Sequence, residues 1–142
     1  IINHSYISLP CPMDLENPFS YQIDSAQAPL HVLVLEGKLL SAYDAQRFLR
    51  TVQEQLGEEK PLYLYLDLKG LEYINSEGLN VLLKLLTMSR NSGGEAWIGG
   101  SNDSLNELFI LTKIHHIFAT VSGPEEAFQE IQAPNSKRKE DA

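Results

Sequence analysis

One stretch constrains the fold of this chain more than any other: an apolar run, a short connection and a long apolar helix follow one another over residues 62–88. The run 62–68, LYLYLDL, is short enough for a strand that is buried on both faces. Residues 69–74 predict a turn-rich connection. Asn75 and Ser76 then favour a helix N-terminus, because their side-chain oxygens accept hydrogen bonds from the free N–H groups of a first turn.

Two apolar stripes run along the helix that follows. The first has the spacing i, i+3, i+4, i+7 and consists of Leu79, Leu82, Leu83 and Leu86. The second consists of Val81, Leu85 and Met88. Two interpretations remain open. A helix that is apolar all round is typical of the core, buried on two sides by its neighbours; alternatively, Val81 and Leu85 belong to an exposed stripe on which a partner docks.

The first turn of this helix combines a charge, a glycine and a hydroxyl. Glu77 lies where a negative charge is favourable. Gly78 lowers helix stability relative to alanine, which predicts a close backbone approach or a need for access at this point. The Ser76 hydroxyl is a candidate phospho-switch, because phosphate at a helix N-terminus can make or break a partner interface. A plain helix-capping role for Asn75 and Ser76 is the competing interpretation.

Strand and helix signals along the rest of the chain predict a single α/β domain. The order is β-β-α-β-α-β-α-β-α, with strands near residues 19–23, 30–36, 62–68, 95–98 and 118–121. The short connection 25–29 predicts an antiparallel first pair, and the alternation of strands with helices predicts parallel pairing elsewhere. We therefore expect a mixed, mostly parallel sheet of about five strands with about four helices over residues 19–133, between an N-terminal extension at 1–18 and a polar tail at 134–142.

Composition and charge exclude several classes of function. The chain has 11 Lys and Arg residues against 19 Asp and Glu, a net charge of −8, which argues against a nucleic-acid partner. Cys11 is its one cysteine, so the sequence contains no disulfide pair and no cysteine metal site, and it suits a reducing compartment. No apolar run reaches the length of a membrane span. We therefore expect a cytoplasmic protein without direct membrane insertion.

The sequence contains no recognisable catalytic constellation. Ile74 occupies the position where a G-x-S-x-G nucleophile elbow around Ser76 requires glycine. His115 and His116 are adjacent, which is typical of a turn and does not match metal-ligand spacing. The segment 99–101 reads as a tight turn, because Asp103 opposes anion binding there. We therefore expect no enzyme activity, no cofactor and no metal.

The central motif resembles that of the STAS domain family, whose members include sulfate-transporter domains and anti-sigma-factor antagonists. The typical family form is a strand that ends in D-L/F-S, followed after a few residues by I-D-S-S-G-L-x-x-L-L. The residues that resemble it here are Leu66-Asp67-Leu68 and Leu71-Glu72-Tyr73-Ile74-Asn75-Ser76-Glu77-Gly78-Leu79-Asn80-Val81-Leu82-Leu83. Four further segments of the chain also resemble the family, at residues 35–39, 93–99, 105–118 and 125–127. The resemblance implies a non-catalytic bacterial regulator of transcription that acts by reversible protein binding.

In antagonists of this family, the serine directly before the glycine is phosphorylated by a serine kinase that is also the anti-sigma factor, and a phosphatase reverses the modification. The resemblance places Glu77 at that serine position, Ser76 one position earlier, and Asn75 where aspartate is usual. Three hypotheses follow: Ser76 is a displaced phosphoacceptor, Glu77 acts as a partial phosphate mimic, or the loop is an interaction surface in which Glu77 has no mimic role.

The resemblance also implies the partners. The first expectation is an anti-sigma factor of the serine-kinase type, together with a phosphatase of the PP2C type, bound through Asn75, Ser76, Glu77 and Gly78 with apolar support from Val81 and Leu85. The alternative is the STAS subunit of a bacterial lipid-transporting ABC system, whose partners are a permease and an ATPase. Small STAS subunits of such systems need no serine before the glycine, which suits Glu77.

Overall fold

A computed structural model describes residues 18–132. Its strands are β1 (Ser20–Asp24), β2 (Leu30–Leu39), β3 (Tyr63–Ile74), β4 (Glu95–Gly99) and β5 (Ala119–Thr120), and its helices are α1 (Ala42–Leu56), α2 (Ser76–Asn91), α3 (Asp103–Leu111) and α4 (Pro124–Gln132). A short 3₁₀ turn at Ile114–His116 follows α3. Cys11, the polar tail and the predicted extension except Pro18 lie outside the described residues.

The strands form one mixed sheet in the order β1-β2-β3-β4-β5. β1 pairs with β2 antiparallel, with Ser20 opposite Glu36, while the other three pairings are parallel. The short 25–29 connection allows only a hairpin, whereas α1, α2 and α3 supply the crossovers that parallel pairing requires. The predicted fold class, a single α/β domain with this mixed sheet, is therefore confirmed.

The two central strands are longer than the sequence predicted. β2 continues to Leu39 and β3 continues to Ile74, and the two remain paired to those ends. The prediction of a turn-rich connection at 69–74 is therefore wrong. The pairing tolerates the polar and glycine residues of this segment through two shifts of register, each of which places one extra residue on β3, and the sequence pattern does not reveal these irregularities. As a result, a single residue, Asn75, separates β3 from α2.

The sheet has a helix layer on each face. Buried residues of α1, α2 and α3, among them Phe48, Leu82 and Phe109, pack with one face in the main core. The opposite face packs with α4 through Tyr65, Trp97 and Ala127. Within residues 18–132, no helix combines the length and apolar character that crossing a bilayer requires.

Candidate functional site

Asn75 holds the junction between β3 and α2. Its side-chain oxygen Oδ1 accepts hydrogen bonds from the backbone N–H groups of Glu77 at 3.0 Å and Gly78 at 3.1 Å. Its amide nitrogen Nδ2 donates to the Leu40 carbonyl oxygen at 2.8 Å. The predicted cap is thus present, and the same side chain also binds α2 to the end of β2. An aspartate at this position lacks the N–H that reaches Leu40.

Gly78 lies at a close approach of α2 to the ends of β2 and β3. A Cβ atom at this position would lie 2.9 Å from the Ile74 Cβ and 3.1 Å from the Leu39 Cδ2. A separation under about 3.0 Å forces a neighbour to move, so only glycine fits without displacement of either strand end. The predicted close backbone approach at Gly78 is confirmed.

Ser76 and Glu77 are the exposed part of the junction. The Glu77 N–H is bound by Asn75, but neither the Ser76 hydroxyl nor the Glu77 carboxylate has a hydrogen-bond or ion-pair partner among residues 18–132. The backbone at this point is therefore fixed while two polar side chains remain open to solvent. A carboxylate and a hydroxyl at a helix start can present charge to a partner or accept a modification.

Val81 and Leu85 do not form a surface stripe. Val81 is 4% exposed and Leu85 is 0% exposed, and both belong to the main core. The prediction of an exposed docking stripe is wrong, and the alternative interpretation of a helix buried on two sides describes α2. The physical reason is that α2 lies on the sheet and against α1, so both apolar stripes face other elements.

A polar groove lies beside the junction, between α1 and α2, and we call it the α1–α2 groove. It encloses about 290 Å³. Its polar lining side chains are Gln46, Arg50 and Gln53 from α1 and Glu77, Asn80 and Lys84 from α2. Arg50 and Lys84 were not recognised from the sequence as site residues. The i, i+4, i+7 spacing of Gln46, Arg50 and Gln53, away from the core residues of α1, is the signal that can locate this face.

The other residues considered from the sequence lie elsewhere. Asp67 accepts a hydrogen bond from the Lys69 N–H at 3.1 Å and is on the α4 side of the sheet. Burial raises the pKa of Tyr65 on that same side, with smaller contributions from the negative charges of Asp67 and Glu125. The neutral phenol is therefore the stable form of Tyr65 in this packed layer.

The two adjacent histidines contact each other. Their ring centroids lie 3.9 Å apart with the planes tilted by 38°, and the His115 Nδ1 lies 3.2 Å from the Phe109 carbonyl oxygen. In the part of the chain that the structure describes, no group of three or more His, Cys, Asp or Glu residues is arranged to hold a metal ion. His115 and His116 occupy the 3₁₀ turn that follows α3, so they lie in a turn as the sequence indicated.

Known proteins resemble the chain in sequence pattern and in fold. The STAS domain family model matches residues 22–127. No curated protein matches the chain. A solved structure of a proposed anti-sigma factor antagonist from Thermotoga maritima superposes with a TM-score of 0.64 at 24% identity, over 80% of this chain and 94% of that one. An anti-sigma factor antagonist from Mycobacterium paratuberculosis gives a TM-score of 0.67 at 15% identity, over 80% and 94% of the two chains.

A transporter also contains this fold. A murine anion transporter of the solute carrier 26 family superposes with a TM-score of 0.64 at 14% identity, over 82% of this chain and 22% of the transporter. At such identities the three structural likenesses concern the fold alone. The fold therefore occurs both in small antagonists and as one part of a much larger protein.

Proposed function

The chain belongs to the STAS domain family, and on that premise we propose that it is a non-catalytic regulatory module that binds an anti-sigma factor of the serine-kinase type. The observation that carries the proposal is the junction at Asn75, Ser76, Glu77 and Gly78. Its backbone is held by three hydrogen bonds of one side chain, while Ser76 and Glu77 face solvent. A fixed, exposed charge at a helix start suits reversible recognition by a partner.

Glu77 gives this module a permanent charge at the position where the family resemblance expects a switchable one. A carboxylate carries one negative charge, whereas phosphate on serine carries about 1.5 to 2. We propose that Glu77 sets the affinity for the partner and that Ser76 is the remaining hydroxyl on which a kinase can act. A phosphatase of the PP2C type would then reverse that modification, within a bacterial cytoplasm and upstream of transcription.

The proposal is tested by capturing partners from native cells and identifying them by mass spectrometry, together with any phosphate on Ser76. A kinase-type anti-sigma factor is the expected partner. Its affinity is then measured for the wild type, for Glu77→Gln and for the control Glu107→Gln, which removes an exposed charge from α3 instead. We expect Glu77→Gln to change the affinity and Glu107→Gln to leave it unchanged. Equal affinity for all three proteins would refute a charge role for Glu77.

A second candidate function is the STAS subunit of a bacterial lipid-transporting ABC system. The presence of Glu77 before Gly78 favours it, because that role requires no phosphoacceptor at this position. The same capture experiment separates the two candidates. Recovery of a permease and an ATPase, with no kinase-type anti-sigma factor, would favour the transport role and overturn the regulatory one.

A further inference from the structure

The α1–α2 groove is open, polar and continuous with the exposed junction. Glu77 belongs to both, since it lies at the first turn of α2 and also lines the groove. Lys84 lies seven residues further along the same helix, about two turns away, and Arg50 lines the groove from α1. A partner that contacts Glu77 therefore has a path along the groove between two cations.

The charge of this groove is opposite to that of the whole protein. Arg50 and Lys84 have no ion-pair partner within residues 18–132, and Glu77 is the one carboxylate that lines the groove. The protein as a whole has a net charge of −8. Two unpaired cations on a strongly acidic protein attract an acidic ligand locally, while the remaining surface repels it.

A tyrosine and an arginine extend the groove on the outer side of α1. Tyr43 is 65% exposed, and the Arg47 guanidinium carbon lies 5.5 Å from the centre of its ring. Together with Gln46 and Arg50 they line an adjoining hollow of about 350 Å³. Tyrosine and arginine are enriched at protein interfaces, where they supply apolar contact and directed hydrogen bonds.

We propose that the α1–α2 groove binds an acidic segment of the partner protein, with Arg50 and Lys84 as its charged contacts and Tyr43 with Arg47 at its outer end. This inference rests on the proposed function, since it names the chemistry of the partner at the same site. Glu77 has the same charge sign as the acidic segment and therefore weakens its binding.

The probe for this test is a short synthetic peptide of alternating glutamate and leucine, titrated into the isotope-labelled protein and followed by NMR chemical shifts. We expect shifts at Gln46, Arg50, Asn80 and Lys84, and loss of binding as salt rises from about 0.1 M to about 1 M because screening shortens the reach of charges. The control peptide has glutamine in place of glutamate and should not bind. Equal shifts with both peptides, or no shifts at all, would overturn the inference.

Matched double variants test which cations act. Arg50→Glu with Lys84→Glu should weaken peptide binding by about tenfold or more. Lys60→Glu with Lys113→Glu changes the net charge equally at exposed positions outside the groove and should leave binding intact. Equal loss in both double variants would assign the effect to net charge. Equal competition by a heparin fragment would indicate a general anion site. Either result would overturn the inference.

The captured partner distinguishes failure of this inference from failure of the proposed function. If the partner depends on Glu77 but binds the Arg50→Glu, Lys84→Glu variant as tightly as the wild type, the groove inference alone is wrong. If the peptide binds in the groove and no kinase-type anti-sigma factor is captured, the proposed function alone is wrong. Circular dichroism confirms folding, and the neutral Arg50→Gln, Lys84→Gln variant replaces the charge reversal if that protein is unfolded.

Discussion

Replacing Asn75 by aspartate isolates a single hydrogen bond at the start of α2. Aspartate keeps the oxygens that accept from Glu77 and Gly78, but it cannot donate to the Leu40 carbonyl, which lies 2.8 Å from the Asn75 Nδ2. Loss of that bond lowers the free energy of unfolding by about 1 kcal/mol, and the repulsion between a carboxylate and the carbonyl oxygen lowers it by a similar further amount. The negative charge at the helix N-terminus raises it by about 0.5 kcal/mol. We therefore expect Asn75→Asp to lower the free energy of unfolding by about 1–2 kcal/mol.

Urea unfolding measured by circular dichroism tests this expectation, with two further variants for comparison. Asn75→Ala loses the cap and the Leu40 bond together and should cost about 2 kcal/mol. Ser41→Ala removes a hydroxyl that accepts from the Asp44 N–H at 3.2 Å at the start of α1 and should cost about 1 kcal/mol. If Asn75→Asp is as stable as the wild type or more so, the Leu40 hydrogen bond contributes nothing, and asparagine is no better than the usual aspartate here.

Three further expectations concern buried side chains. Leu85→Ala should lower the free energy of unfolding by about 2–5 kcal/mol in urea, while the exposed control Lys84→Ala changes it by less than about 0.5 kcal/mol; a small loss at Leu85 would contradict its core position. Ser89→Ala should raise stability by about 1 kcal/mol in the same assay, because the Ser89 hydroxyl is buried without a hydrogen-bond partner among residues 18–132; lower stability would indicate a missed partner. Burial raises the pKa of Tyr65 in the folded protein above its ordinary value of about 10. The resulting contribution to the free energy of unfolding is fully present below about pH 10 and is lost as the pH rises through the raised pKa. The free energy of unfolding of Tyr65→Phe should therefore fall less steeply with pH, above about pH 10, than that of the wild type. Identical slopes would contradict the raised pKa of Tyr65.

The order of the elements was predictable because local patterns and turn residues determine it. The antiparallel first pair followed from the short 25–29 connection, and the parallel pairs followed from the helices between strands. The length of β3 was not predictable in the same way. Its end at 69–74 is held in the sheet by pairing with β2, which is distant in sequence, and the residues themselves favour a turn.

The part of the site that depends on local backbone hydrogen bonding and backbone space was predictable. The cap at Asn75 and the tight fit of Gly78 follow from what those residue types do at a helix start. The burial of Val81 and Leu85 was left open because periodicity shows that a face is apolar but not which element covers it. The location of Arg50 and Lys84 on the two walls of one groove depends on how α1 and α2 pack, which no local pattern contains.

The single residue between β3 and α2 has a thermodynamic consequence. Ordering a flexible loop removes conformational entropy equivalent to roughly 1–2 kcal/mol for each residue. At this junction Asn75 is already bonded on both sides, so a partner that docks there meets a backbone whose entropy was lost when the domain folded. We therefore expect a charge added to or removed from Ser76 or Glu77 to change partner affinity through electrostatic free energy, without first ordering or melting a segment of chain.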